Sequence, residues 1–386
     1  MNTKSYTIIA PQTIRFGAGC VATLGDEARK LGATKALVVT DAGVYKAGLV
    51  GPAVEQLSKA GLRTEVFADS EPEPTYPRLD NVAQGFSGSK FDLLVGVGGG
   101  SSLDTAKGLA ILFAHGGRGQ DYVGIDKVPG ACLNTILIPT TAGTGSEVTN
   151  IAIFGDPDKE LKMGIVSRHL LARVALVDPE LTYSCPSTLT AAAGVDALVH
   201  AVEAFTSLNS CAYTDALALA AIKLIVESLE DAVLDGADRL ARHKMAEGAM
   251  LAGIAFGTAG VAAVHALAYP LGARFHVPHG LANGVLLPHV LRHNLPANYP
   301  KYAQMAQAIS EGARGLPLEK AAMHGLEAIT ELCQNIGIPV CLRDLGVPEK
   351  ALDGLAEATM GVTRLLNNNP KRLSLADVRE IWRSAW

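Results

Sequence analysis

Up to Asp178 this chain alternates short apolar runs with helical stretches, and beyond Asp178 no run reads as a strand. Lys35–Thr40 (KALVVT), Phe91–Val97 (FDLLVGV), Thr135–Pro139 and Val174–Asp178 have the length and apolar density of buried strands. Strands separated by helical segments predict a parallel sheet covered by helices. From Ser187 onward, long Ala/Leu-rich segments broken by Gly and Pro predict helices alone. The expected architecture is an α/β dinucleotide-binding domain over residues 1–183, joined to an all-helical domain over residues 184–386. A cleft between two domains is the natural place for a ligand. Ser187 or Thr188 is the expected cap of a helix running through Leu198 and Phe205.

Composition narrows the function. The net charge is −5, with no basic block or basic stripe interleaved with aromatics, which argues against a nucleic-acid partner. Six scattered cysteines without a C-x-x-C predict free thiols in a reducing cytoplasm. Residues 1–19 lack the basic and apolar regions of a signal peptide. Gly248–Ala273 carries no Asp, Glu, Lys or Arg and is long enough to span a bilayer. It is built of Ala and Gly and holds His265 and Pro270, so the expectation is one buried helix and no membrane span.

Gly98, Gly99 and Gly100 follow a predicted strand, and Ser101 and Ser102 open the helix after it. Glycines let a backbone approach a ligand closely, and a helix N-terminus offers free N–H groups to an anion. The pattern suits a dinucleotide pyrophosphate, although Ser101 stands where the Rossmann fingerprint has its third glycine. A plain tight turn is the competing reading. Asp41 ends the preceding strand, where a carboxylate accepts from a ribose 2′-hydroxyl and repels a 2′-phosphate, favouring NAD over NADP. A solvated turn Asp is its competing reading. Thr140, Thr141 and Thr144 lie in Pro139–Ser146, a loop of small hydroxyl residues after another strand.

Asp196 and His200 are four residues apart and share a helix face. With His265 and His279 they compose an N₃O ligand set that accepts Fe(II) or Zn(II) alike. Glu203 lies on the same face as a supporting or structural group. His276 stands near His279 and competes for its role. His115, His169, His243, His289, His293 and His324 are expected at the surface or in structural roles.

The segments GGGSSLDTAK, PTTAGTGSEVT, LVDPELT, GVDALVHAVEAF and HALAYPLGARFHVPHGLANGVLLPHV run in one order over essentially the whole chain. Together they resemble the iron-containing, or group III, alcohol dehydrogenases. The resemblance implies a dehydroquinate-synthase-like fold with the metal in the interdomain cleft. It implies that Asp196, His200, His265 and His279 are the metal ligands, and that Gly98, Gly99, Gly100 and Ser101 hold the pyrophosphate. Asp41 would meet the adenosine ribose, Thr140, Thr141, Thr144 and Lys162 would line the cofactor, and Phe256 would face the substrate. Homodimers and larger homo-oligomers occur among such proteins. One departure stands out: where many members carry a second histidine, in H-x-x-x-H-P, this chain has Tyr269. A proton relay is therefore expected through Tyr269 and His276. The expected activity is metal-dependent hydride transfer between NAD(H) and an alcohol–carbonyl pair. If Arg274 and His276 approach the site, a small hydroxyacid is favoured. The alternatives are a metal-independent, maleylacetate-reductase-like enzyme and a non-catalytic nucleotide- or metal-binding protein.

Overall fold

The computed structural model describes residues 5–158 and 161–386. The chain divides into two compact units, Ile9–Cys185 and Pro186–Trp386, the second also taking in residues 5–8.

The first unit is built on a six-stranded, all-parallel sheet. Its strands are β1 (Thr13–Phe16), β2 (Lys35–Val39), β3 (Arg63–Phe67), β4 (Leu93–Gly98), β6 (Asn134–Pro139) and β9 (Val174–Val177), in the order β1-β9-β6-β4-β2-β3. The central strands are apolar because both faces are covered. Leu37, Val39, Leu94 and Leu137 join one core cluster, and Ala36, Val38, Leu93, Val95 and Ile136 join another. The chain leaves β2 at Thr40, just before Asp41, β4 at Gly99 and β6 at Thr140, so three adjacent strands present their C-terminal ends together. In open parallel sheets ligands bind there, where strand order switches direction. A second sheet adds β5 (Gly124–Ile125), β7 (Ile151–Asp156) and β8 (Leu161–Val166), with β7 and β8 antiparallel.

The second unit is helical, and no strand follows Val177 among the described residues. Three of its helices bear the expected ligands: Ser187–Thr206, Ala263–Phe275 and His279–Asn294. Glycines allow close approach between helices. A Cβ on Gly280 would lie 2.1 Å from the Ala192 carbonyl oxygen, so Gly280 is what lets the first turn after His279 rest on the Asp196 helix.

Two local expectations need correction. Pro186, not Ser187 or Thr188, occupies the N-cap position, and no side chain caps that end. Ser187 and Thr188 already lie within the helix. The charge-free stretch is not one helix: Arg239–Ala259 and Ala263–Phe275 meet at an angle of 101°, with Gly260 at φ +74°. Glycine adopts that left-handed conformation without penalty. Pro270 lies inside the second of these helices, which continues to Phe275. Ser187–Thr206 is long and apolar enough to cross a membrane, but 78% of its most apolar window is buried inside the protein, as in a core helix.

Candidate functional site

In the nucleotide-binding unit, the helix Gly100–His115 starts directly after β4, and no side chain caps its N-terminus. Its first N–H groups are therefore left for an anion. Gly98 has φ +155°, and a Cβ on it would lie 2.7 Å from Ser102, while a Cβ on Gly100 would lie 2.7 Å from the Thr144 methyl. Thr140 N–H donates to the Gly98 carbonyl at 3.0 Å. The threonine loop thus lies directly on the glycine turn, and only glycine leaves room for it. Thr141 flanks Gly99.

Asp41 has local duties as well. Its Oδ1 accepts from Gly43 N at 2.8 Å and Val44 N at 3.0 Å, capping the short helix Ala42–Lys46, and Ser102 Oγ donates to Oδ2 at 3.3 Å. The turn-forming and ribose-facing readings are therefore compatible. Lys162 Nζ pairs with Glu73 Oε1 at 2.7 Å, and Glu73 N donates to Ser101 Oγ at 3.2 Å, so Lys162 reaches the glycine turn through one intermediary.

Two residues missed by sequence reasoning, half-buried Asp104 and buried Lys107, fasten these loops. Asp104 accepts from Ser146 Oγ at 2.6 Å and from Ile153 N at 2.9 Å. Lys107 Nζ donates to the carbonyls of Thr149 at 3.0 Å and Ile151 at 2.8 Å. Burial pulls the Lys107 ammonium below its usual range, against the attraction of Asp104 and Glu147. Asp and Lys three apart on one helix were the available signal; their burial was not legible.

In the helical unit, Asp196, His265 and His279 converge, each offering a ligand atom within 4.8 Å of the others. Asp196 Oδ1 lies 3.6 Å from His265 Nε2 and 3.6 Å from His279 Nε2. Ligands about 2.1 Å from a tetrahedral metal stand about 3.4 Å apart, so this spacing fits an ion. His200 completes the edge: its Nδ1 is 3.9 Å from Asp196 Oδ2, and its ring stacks on His265 at 4.6 Å between centroids. Phe256 stacks on the far face of the group, 4.2 Å from the His200 ring centroid. The Tyr269 ring lies 6.2 Å from that of His279. His276 is exposed, in the left-handed region at the C-cap of its helix, and no contact joins it to this group among the described residues. Arg274 is also exposed, with its guanidinium near Gly354.

Glu203 organises the centre from behind. Its carboxylate accepts from Ala262 N at 2.8 Å, Val264 N at 2.6 Å and His265 Nδ1 at 2.7 Å. It therefore caps the Ala263–Phe275 helix and fixes the His265 tautomer, leaving Nε2 as the ligand atom. A carboxylate behind a ligating imidazole is a recurrent device of metal sites. Asn283, one turn after His279, was not singled out from sequence. Its Nδ2 donates to Asp196 Oδ1 at 2.6 Å and lies 3.3 Å from both His265 Nε2 and His279 Nε2.

The charges here oppose burial. Burial alone would push the Asp196 carboxyl up, but His200, His279 and His265 hold it well below the usual carboxylate range. Burial would likewise lower His265, yet Asp196 and Glu203 raise it to about 9. Without metal, His265 is thus expected to carry a second proton, on Nε2, at neutral pH, which a metal has to displace. The apparent metal affinity is expected to rise about tenfold per pH unit as pH climbs towards 9, with proton release on loading. Titration calorimetry with Zn(II) in buffers of differing ionisation enthalpy measures this. A pH-independent affinity would mean that His265 is already neutral.

Comparison with known proteins gives a consistent result. Residues 11–179 match the family model described as iron-containing alcohol dehydrogenase, and residues 190–386 match the C-terminal model of the Fe-containing alcohol dehydrogenase family. The chain is 42% identical to long-chain-alcohol dehydrogenase 1 of Geobacillus thermodenitrificans, covering 98% of this chain and 96% of that one. It superposes on the crystal structure of a 1,3-propanediol oxidoreductase with TM-score 0.96 and 38% identity, covering 99% and 100% of the two chains. The NAD⁺ complex of sulfoacetaldehyde reductase from Bifidobacterium kashiwanohense matches with TM-score 0.89 and 31% identity, covering 99% of each chain.

Proposed function

Since the chain belongs to the iron-containing alcohol dehydrogenase family, whose members interconvert alcohols and carbonyl compounds with NAD(H), we propose that Asp196, His200, His265 and His279 hold its metal and that the glycine and threonine loops hold its cofactor. The observation that carries the metal assignment is the convergence of buried Asp196 and His265 with half-buried His279, with Glu203 fixing the His265 tautomer. Fe(II) is the family's ion, and Zn(II) is the other that this donor set accepts. When bound, such an ion supplies a Lewis acid for the substrate oxygen.

The chain's own residues do the rest. Gly98, Gly99, Gly100 and Ser101 seat the pyrophosphate, with Ser102, Thr140, Thr141, Thr144 and Lys162 around it. Asp41 faces the adenosine ribose. Phe256, flat against His200, offers the substrate an apolar wall. The proton role falls to the hydroxyl of Tyr269, beside His279, rather than to the exposed His276. Arg274 is exposed with its guanidinium near Gly354, so it lends no support to a carboxylate-bearing substrate. Free thiols at all six cysteines support a reducing cytoplasm, and a homodimer or larger homo-oligomer remains part of this reading.

The test is a panel of short and long alcohols and aldehydes, followed by NADH absorbance with Fe(II) or Zn(II) supplied. Turnover of several aldehydes with NADH is expected. Cofactor binding without turnover across the panel would instead identify a binding protein. Asp41→Gly is expected to raise kcat/KM with NADPH by about ten- to a hundredfold, because like-charge repulsion at the 2′-phosphate is removed. Glycine costs only a few tenths of a kcal/mol as an N-cap, so stability should hold. An unchanged NADPH/NADH ratio would take Asp41 away from the ribose.

A further inference from the structure

Asn283 is fully buried and lies in the same helix as His279, four residues further on, so both side chains share a face. A carboxylate only accepts, so the 2.6 Å contact with Asp196 Oδ1 identifies the Asn283 atom there as the amide nitrogen. The same nitrogen stands 3.3 Å from Nε2 of both His265 and His279. The amide oxygen is buried with no hydrogen-bond partner. The amide is held by its nitrogen side. Here the holder is Asp196, the one anionic member of the proposed ligand set.

We infer that Asn283 is a positioning residue of the metal centre: its amide N–H fixes the Asp196 carboxylate against the ligand nitrogens of His265 and His279. This rests on the metal assignment proposed above. Among the described residues, the donors that face Asp196 are Asn283 and the ligand histidines. Once those histidines turn their lone pairs to a metal, the amide is the donor that keeps the carboxylate oriented. Residues that orient a ligand in this way typically contribute about ten- to a hundredfold in metal affinity.

The experiment uses the full-length protein and Co(II) or Zn(II) alone as probe. Wild-type uptake of metal, measured by competition with a chromogenic chelator, tests the metal assignment by itself. Asn283→Ala and the space-filling Asn283→Leu then test the inference. Both are expected to weaken Co(II) and Zn(II) binding by about ten- to a hundredfold and to alter the d–d absorption of the Co(II) form. If wild type binds and either variant matches its affinity and spectrum, the amide is not needed and the inference fails. A wild-type crystal structure with Zn(II) gives an answer that does not depend on the variants' folding. Asn283 Nδ2 within hydrogen-bonding distance of Asp196 supports the role, and an amide turned away from Asp196 overturns it.

Discussion

Stripping the metal with a chelator is expected to abolish NADH-linked turnover, by roughly a thousandfold or more, while NADH still binds. A Lewis acid at the substrate oxygen is worth several kcal/mol of transition-state stabilisation, and each 1.36 kcal/mol is tenfold in rate. Cofactor binding should survive because its proposed residues, Asp41 through Lys162, all belong to Ile9–Cys185. The four proposed ligands all belong to the helical unit. His265→Ala should reproduce the chelated state, losing metal and rate together. NADH fluorescence, metal analysis and steady-state rates on the same samples separate the effects. Full turnover in rigorously metal-free protein would reject the metal-dependent reading in favour of a metal-independent reductase.

Glu203→Gln should do nearly as much damage from outside the ligand set. Three N–H groups converge on the Glu203 carboxylate. An amide in its place has one acceptor oxygen and turns an NH₂ group towards a donor. At least one buried N–H is left unpaired, at a cost of about 1–3 kcal/mol each. Where the NH₂ group takes the Oε2 place, His265 loses its acceptor at Nδ1 and favours the tautomer that protonates Nε2, the proposed ligand atom. The expected outcome is a stability loss of about 1–3 kcal/mol in urea unfolding, together with metal binding weakened about ten- to a hundredfold. Wild-type metal affinity in a merely destabilised variant would make Glu203 a helix cap and nothing more.

Much of this was legible in the sequence, for physical reasons that also explain the omissions. β2, β4, β6 and β9 are covered on both faces, so they appear as continuous apolar runs. β1 and β3 are the two edges of the sheet. Their sequences, TIRF and RTEVF, mix charged with apolar residues because edge strands are only partly covered, and no run betrays them. The hairpin β7–β8 escaped for the same reason, with β8 almost wholly half-buried. The break at Gly260 was hidden by its surroundings, since a glycine within an Ala/Gly-rich stretch stands out little from its neighbours. At the site, Asp196 with His200 was readable from helical spacing, and His265 from the oddity of a histidine among alanines. Glu203 was noticed, but that it meets the start of a helix some sixty residues later depends on tertiary packing. Asn283 offered only its spacing from His279. Nothing local indicated that its amide would face a carboxylate on another helix.

The grip of Asp104 and Lys107 on residues 146–153 has a thermodynamic consequence. Ordering a free loop upon ligand binding forfeits about 1–2 kcal/mol of backbone entropy per residue. The segment that follows the threonine loop is already locked to the glycine helix, through the Asp104 carboxylate and the buried Lys107 ammonium. The seat offered to a pyrophosphate is thus rigid before any ligand arrives, and its ordering cost belongs to folding rather than to association. Binding to such a seat keeps more of its contact energy as affinity. The same rigidity leaves a differently shaped ligand little room to be accommodated.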